Sequence, residues 1–225
     1  MPGITPGTVS VVTSTLNESR NLPELARRVR EALRGFKAEL IVVDGGSIDG
    51  TQELARDVAD RVIVIQGGGQ TRCLLEGIRA ASSEAVVTID ADLENPPELI
   101  PSLLRAFEGG GYDLLVARRG RLPRTWESIA SATLGRAFGV RDVFSNFRVY
   151  RRSRFAGYAL RAGETYGCEL LEHAWASGMR VGVYDYEPTY VRPDSRVGWG
   201  LRGEYRALRA TLTCLGLALR DLLGV

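Results

Sequence analysis

Along the first half of the chain, a short β-branched run repeatedly breaks off at a polar or glycine-rich turn, and a helical apolar pattern follows. The runs cover residues 8–13, 39–43, 61–65, 86–89 and 113–117. Runs that are mostly apolar and β-branched suit strands buried on both faces. Strand and helix in alternation leave few architectures open. The one expected is an α/β fold with a mostly parallel central sheet, right-handed crossovers and flanking helices. At 225 residues the chain suits one sizeable domain with a well-buried core.

The fourth run organises the rest. Val86-Val87-Thr88-Ile89 leads into Asp90-Ala91-Asp92-Leu93-Glu94-Asn95-Pro96-Pro97. Strand residues two apart point the same way, so Asp90 and Asp92 are expected to leave the strand end on one side. Neighbouring carboxylates repel, and one takes up a proton unless a cation sits between them. All candidate ligands are oxygens, with no His or Cys nearby. The cation expected is therefore hard, Mg²⁺ or Mn²⁺, and such ions usually bring phosphates with them. A solvated strand-end turn is the plain alternative. The apolar strand before the acids and the Pro-Pro helix start after them favour a site.

The other turns carry similar material. Residues 14–18 form a polar loop, and Asn21 with Pro23 and Glu24 marks a helix start. Asp44-Gly45-Gly46-Ser47-Ile48-Asp49-Gly50-Thr51 closes the second run. Acids and glycines at the carboxyl ends of parallel strands are where open α/β sheets bind ligands. The stretch is not a P-loop, because Gly-Lys-Ser/Thr is missing. Gly67-Gly68-Gly69 precedes a helix whose first amides could hold an anion or simply form a turn.

Composition excludes several classes. Net charge is +2, so no strong field calls for nucleic acid. Of 29 basic residues only Lys37 is a lysine, and arginine forks suit phosphate and carboxylate recognition. Cys73, Cys168 and Cys214 are odd in number and form no Cys-x-x-Cys, which reads as reduced, buried thiols of a cytosolic protein. Neither a signal peptide nor a membrane-spanning run is expected from the sequence.

Three stretches together resemble the family 2 glycosyltransferases of the GT-A (Rossmann-like) fold. They are Val11-Val12-x-x-Thr15-x-Asn17-Glu18, Ile41-Val42-Val43-Asp44-x-Gly46-Ser47-x-Asp49-Gly50-Thr51 and Asp90-Ala91-Asp92-Leu93. Asp142-x-x-Ser145-Asn146-Phe147-Arg148 is similar to the Asp-x-x-Ser-Gly-Phe-Arg of polyprenol-phosphate glycosyltransferases of the dolichol-phosphate mannosyltransferase type. Glu187-Pro188 followed by Arg192-Pro193-Asp194-Ser195-Arg196 resembles that group's Pro-x-x-x-x-Arg-x-x-Ser-Lys. The resemblance spans roughly residues 8–200.

It implies that Asp90 and Asp92 hold the divalent ion and the donor's diphosphate, with Glu94 as a further metal ligand. Ser14, Leu16, Glu18, Asp44 and Ala91 fall at the donor site, with Glu18 and Asp44 in its nucleoside pocket. Arg119, Ser145, Arg148, Arg192, Ser195 and Arg196 fall where the group binds donor or acceptor phosphates. Ser14, Leu16 and Gly45 depart from the group's pattern near the base, so guanine and uracil both stay open. Asn146 stands in place of Gly, and Arg196 in place of Lys. The implied reaction moves one sugar, mannose or glucose, from a nucleotide to polyprenyl or dolichyl phosphate.

Charge gives the chemistry. A hydroxyl acceptor, on a sugar or a protein, would need a positioned base, and Asp142 is the candidate. A phosphate monoester, with a second pKa of roughly 6, is already ionised and needs positioning by arginine instead. The arginine-rich second half favours the phosphate. The resemblance implies Asp90, Asp92, Arg119 and Asp142 at the reacting centre. A non-catalytic nucleotide-binding partner subunit is the alternative outside enzymology. Absence of Gln-x-x-Arg-Trp argues against a processive synthase.

The tail has its own pattern. Leu201, Tyr205, Leu208, Leu212, Leu215, Leu219 and Leu222 form one stripe of a helix over 201–225, following a catalytic domain over 1–200. The stripe could pack on the domain, lie in a membrane interface or self-associate. A polyprenyl acceptor makes peripheral contact at the cytoplasmic face of a membrane the expected location.

Overall fold

A computed structural model describes residues 7–120, 125–187 and 201–224, the side chains of 201 and 202 excepted. All five expected runs form strands: β1 (Thr8–Thr15), β2 (Lys37–Asp44), β3 (Arg61–Val64), β4 (Ala85–Thr88) and β5 (Leu114–Arg119). Two further strands follow, β6 (Arg148–Arg151) and β7 (Val181–Tyr186). The helices between β1 and β5 are α1 (Leu22–Ala32), α2 (Thr51–Val58), α3 (Gly69–Ala80) and α4 (Ile100–Gly110). After β5 come α5 (Thr125–Ala132), α6 (Leu134–Phe138), α7 (Arg152–Phe155), α8 (Cys168–Ala176) and α9 (Leu201–Leu223).

The sheet order is β3-β2-β1-β4-β6-β5-β7. All pairings are parallel except those of β6, which runs antiparallel between β4 and β5. Chain order reverses between β1 and β4, and such a switch point opens a crevice at the carboxyl ends of the strands. The polar ends of β1, β2 and β4 meet there.

Both faces of the sheet are covered, as the apolar runs require. On one face Leu25, Val29, Leu103 and Phe107, from α1 and α4, pack over Val11, Val42 and Val87. On the other, Leu74, Ile78, Leu171 and Phe138, from α3, α8 and α6, pack over Val12, Val43 and Val86. Gly77 lets α3 approach closely: a Cβ there would collide with Val12 Cγ1. Pro23 opens α1, but Asn21 does not cap it. The Asn21 amide donates instead to Glu18 Oε2 at 2.6 Å.

Two expectations change here. β4 ends at Thr88, and the last rung beyond it is Ile89 N donating to Val12 O. Asp90 and Asp92 therefore sit in a turn rather than on a strand, and the same-side strand argument does not place them. The turn passes through Leu93 at φ 65°, a left-handed conformation that costs a branched side chain about 1–3 kcal/mol.

The tail is helical, as its stripe requires, but the stripe is not the packed face. α9 packs on α5, α6 and α8. It does so through Ala207, Ala210, Cys214, Leu217 and Ala218, all buried, while Tyr205, Leu212, Leu215, Leu219 and Leu222 face outward. Among the described residues, no helix is long and apolar enough to cross a membrane. None of the three cysteines is in a disulfide, and all are buried.

Candidate active site

Three loops build the first wall of the crevice. The loop after β1 turns through Asn17, which has φ 58°. Asn17 Oδ1 accepts from Ile48 N and its own amide donates to Ser47 Oγ, tying this loop to the one after β2. Asp44 is fully buried and holds that second loop. It accepts from Thr15 Oγ1, the amides of Gly46 and Ser47, and Gln52 Nε2 at 2.8–3.0 Å. Burial alone would raise its pKa, but Ser47, Thr15 and Gly46 hold it below the usual carboxylate range. Asp44 therefore shapes the loop from beneath, and Gly45 presents the surface. Glu18 is likewise nearly buried, with its backbone N bonded to Thr51 Oγ1.

The loops enclose a cavity of about 360 Å³, lined by Ser14, Leu16, Gly45, Gln70, Tyr166 and Arg206 among others. Ser14 and Leu16 thus line this cavity together with Gly45. Ala91 is buried just behind the acid pair. Gln70, Glu164, Tyr166 and Arg206 complete the wall without having been anticipated. Gln70 follows the triple glycine, but nothing in the sequence brings Glu164 or Arg206 across to it.

Glu164 settles the role of the triple glycine. Its carboxylate accepts from Gln70 N, Thr71 N and Thr71 Oγ1 and so occupies the start of α3. The anion there is a side chain of the chain itself. Gly69 has φ 68°, and a Cβ on it would collide with Glu164 Oε2.

A second cavity of about 530 Å³ opens beside β5 and β7, lined by Arg118, Arg119, Arg141, Asp142, Asp185 and Tyr186 among others. Arg119 grips Asp142 with both arms, Nε to Oδ2 at 2.7 Å and Nη2 to Oδ1 at 2.9 Å, and reaches Glu127 at 3.3 Å. Burial works against its charge, yet Asp142 and Glu127 hold Arg119 protonated well above the usual arginine range. Asp142 also accepts from the amides of Arg119 and Ser145. Ser145 Oγ donates to Ala117 O at 2.7 Å. Arg141 lines this cavity and makes no hydrogen bond or ion pair among the described residues.

Asp90 joins the two cavities. Gln70 Nε2, on the first wall, donates to Asp90 Oδ1 at 2.6 Å. Asn95 Nδ2 donates to Asp90 Oδ2 at 3.4 Å, and Tyr186 Oη, on the second wall, donates to Asn95 Oδ1. Burial pushes the Tyr186 phenol up, Arg119 pulls it down, and Asp142, Asp90 and Asp92 push it up again, so their charges all reach one point. Asp92 Oδ1 accepts from Glu94 N at 3.1 Å, which closes the turn.

Among the described residues, Asp90, Asp92 and Glu94 form no three-carboxylate group. Arg148, expected to bind phosphate, does not present its guanidinium to the surface. It is 0% exposed, and its guanidinium donates to the carbonyls of Ser145, Gly167 and Val143 and to Tyr150 Oη. Arg192, Ser195 and Arg196 lie outside the described residues. Elsewhere, Glu169 is fully buried under Tyr158 Oη and the Arg161 amide, and His173 stacks on Tyr158 at 3.9 Å.

A family model described as glycosyl transferase family 2 matches residues 10–167. Among curated relatives, an undecaprenyl-phosphate 4-deoxy-4-formamido-L-arabinose transferase of Pseudomonas paraeruginosa is 39% identical over 162 residues, 64% of this chain and 47% of its own length. A dolichol-phosphate mannosyltransferase of Pyrococcus furiosus is 37% identical over 116 residues, 49% of this chain and 33% of its own. The chain spans about half the length of the former relative and a third of the latter. Glucosyl-3-phosphoglycerate synthase from Mycobacterium tuberculosis superposes with a TM-score of 0.77 at 22% identity, covering 93% of this chain and 80% of that one, which shows the shared GT-A fold. The matched segment takes in the acid turn, Arg119, Asp142 and most of both cavity walls, and the chain belongs to glycosyl transferase family 2.

Proposed function

We propose that the chain is a metal-dependent, inverting glycosyltransferase that moves one sugar from a nucleotide donor to the phosphate of a polyprenyl lipid. The observation that carries the acceptor class is the state of Asp142. This is the base that the sequence offered, and both its oxygens are committed to Arg119 and to the Ser145 amide. An acceptor that must be deprotonated would need a base, and Asp142 is already engaged. A phosphate monoester, already ionised near neutral pH, needs none.

The first cavity is then the donor's, with Ser14, Leu16 and Gly45 against the base and Asp44 and Glu18 beneath the nucleoside. The second is the acceptor's, where Arg141 meets the phosphate and Arg119, kept charged by Asp142, faces the reacting centre. Asp90 and Asp92 suit a hard ion on the chemistry of their donor set: oxygen only, and two carboxylates at one turn. Mg²⁺ sites that share substrate phosphates are built in this way. The ion, Mg²⁺ or Mn²⁺, would offset the charge that develops on the departing diphosphate. Gln70 and Asn95 fix the orientation of Asp90. Attack from the acceptor cavity, opposite the leaving group, inverts the anomeric carbon.

The relatives' names support polyprenyl phosphate as acceptor, and crystal structures of the Mycobacterium tuberculosis synthase contain UDP with Mn²⁺ or Mg²⁺. The sugar is proposed to be mannose or glucose, carried by GDP or UDP. The first relative's name adds 4-deoxy-4-formamido-L-arabinose to the panel. The lipid acceptor places the work at the cytoplasmic face of a membrane, without nucleic acid.

The test offers each nucleotide-sugar, with Mn²⁺ or with chelator, to polyprenyl phosphate and to the unphosphorylated polyprenol. Metal-dependent product on the phosphate alone is expected. Product on the alcohol, or on a soluble sugar hydroxyl, would return Asp142 to the role of base and overturn the acceptor assignment.

A further inference from the structure

The outward half of α9 is divided into two strips. At about 100° per residue, Tyr205, Leu212, Leu215, Leu219, Leu222 and Leu223 fall on one flank, and Arg206, Arg209 and Arg220 on the other. The apolar residues are well out in solvent: Tyr205 64%, Leu212 58%, Leu219 49% and Leu222 67% exposed. Together they run about 27 Å along the helix at 1.5 Å per residue. Isolated exposed leucines need no explanation, but a continuous strip of this length marks an interaction surface.

The charge beside the strip says what covers it. The two acids of α9, Glu204 and Asp221, both turn inward. Glu204 accepts from the amides of Thr125 and Trp126, and Asp221 holds Arg161 at 2.6 and 2.9 Å. The face left outward therefore presents leucine and arginine with no acid among them. A second copy of the same face would bring arginine against arginine. A bilayer with anionic head groups matches both strips at once: acyl chains under the leucines and phosphates under the guanidinium groups.

We infer that α9 is the surface by which this chain docks, lying flat, on an anionic lipid membrane. The inference extends the reading of the acceptor as a lipid, and it gives the docking a consequence. Arg206 stands at the boundary, on the arginine flank of α9 and in the wall of the donor cavity. Docking through α9 therefore sets the crevice beside the lipid surface instead of facing away from it. The helix is anchored to the body at both ends of this strip, by Glu204 on α5 and by Asp221 on Arg161, so that orientation is rigid.

The test needs neither donor nor acceptor. The whole chain is floated with vesicles of phosphatidylcholine alone and of phosphatidylcholine with about a third phosphatidylglycerol. Binding to the anionic vesicles only, weakening as salt rises, is expected. Leu212→Asp with Leu219→Asp should cut that binding at least about tenfold. Both positions are exposed, so the variant should keep the wild-type melting temperature and its turnover of detergent-dispersed acceptor. Asp92→Ala should bind vesicles like the wild type, which separates docking from transfer. Equal flotation of wild type and leucine variant, or none by either, would overturn the inference. So would a wild-type dimer that Leu212→Asp with Leu219→Asp converts to monomer without any vesicle binding, since the strip would then belong to a second copy.

Discussion

Arg119 holds Asp142 by both carboxylate oxygens, at 2.7 and 2.9 Å, in a site where the Asp142 side chain is almost wholly buried. Removing one partner of such a pair leaves the other as an uncompensated buried charge, which costs about 3–5 kcal/mol. Asp142→Asn is therefore expected to lower the unfolding free energy by about 3 kcal/mol in chemical denaturation. With polyprenyl phosphate as acceptor it should leave the shape of the pH–rate profile unchanged. Loss of a limb from that profile would mark Asp142 as a proton acceptor in the reaction.

Gln70 reaches Asp90 from the start of α3, across the crevice. Partners that orient a ligating carboxylate contribute roughly 10–100-fold to metal affinity. Gln70→Ala should weaken Mn²⁺-dependent binding of a nucleoside diphosphate by about that factor, read by calorimetry. Binding measured without metal should change little. Asp92→Ala should abolish the metal-dependent part altogether.

The sheet was legible because its signal is local. Runs such as 8–13 and 39–43 are mostly β-branched and apolar, and a polar or glycine-rich turn follows each. The acid turn was legible in composition but not in conformation. Whether β4 runs on to Asp92 depends on how far β1 and β6 accompany it, and that pairing stops at Thr88. Arg148 misled for a related reason. The resemblance implied a phosphate ligand, but the Arg148 guanidinium is satisfied by the carbonyls of Val143 and Gly167, which only the folded chain brings near. The α9 stripe was correct as a pattern, and its direction was set elsewhere. Ala207, Ala210 and Cys214 are small enough to let the helix approach α8 closely, and that face won.

Arg148 gives a prediction of its own. Truncation would strand three buried carbonyls and a tyrosine hydroxyl, each costing about 1–3 kcal/mol when left unmade, with incomplete additivity. Arg148→Met should lower the melting temperature by roughly 10 °C. In the protein that remains folded at low temperature, KM for polyprenyl phosphate should be unchanged. A raised KM with a normal melting temperature would make Arg148 a phosphate ligand after all.

Glu172 makes stability depend on pH. It is fully buried on α8, with Arg161 at 2.7 Å. Burial first, and Asp221 second, push its carboxyl from the ordinary 4.5 up to about 7, against Arg161. The folded chain thus binds a proton that the unfolded chain has released, and the difference spans the window from 4.5 to about 7. Stability from this group is full below 4.5 and declines as pH rises through 7. Asp221 acts oppositely: Arg161, then Glu172, lower it to about 2, so its contribution is lost only on acidification below its ordinary 3.8. Between pH 5 and 8 the Glu172 effect stands alone of the two. Melting temperature should fall across that range, and Glu172→Gln should flatten the decline and exceed the wild type at pH 8.

Arg141 offers a test of the two cavity assignments. It immediately precedes Asp142, lines the cavity beside β5 and is exposed, and it makes no ion pair among the described residues. Arg118, on the same wall, already holds Asp185 at 2.7 Å. A phosphate entering beside the Arg119–Asp142 pair therefore meets Arg141 as the cation ready to receive it. Charge-assisted hydrogen bonds of this kind contribute about 1.5–3 kcal/mol each. Arg141→Ala should raise KM for polyprenyl phosphate roughly tenfold to a hundredfold. Calorimetric binding of the nucleoside diphosphate with Mn²⁺ should be unaffected, as should the melting temperature, because an exposed arginine without partners carries no fold contact. Arg141→Lys should recover part of the loss, since it restores a charge without the fork. If donor binding falls instead, the cavity beside β5 belongs to the nucleotide, and the assignment of the two cavities reverses.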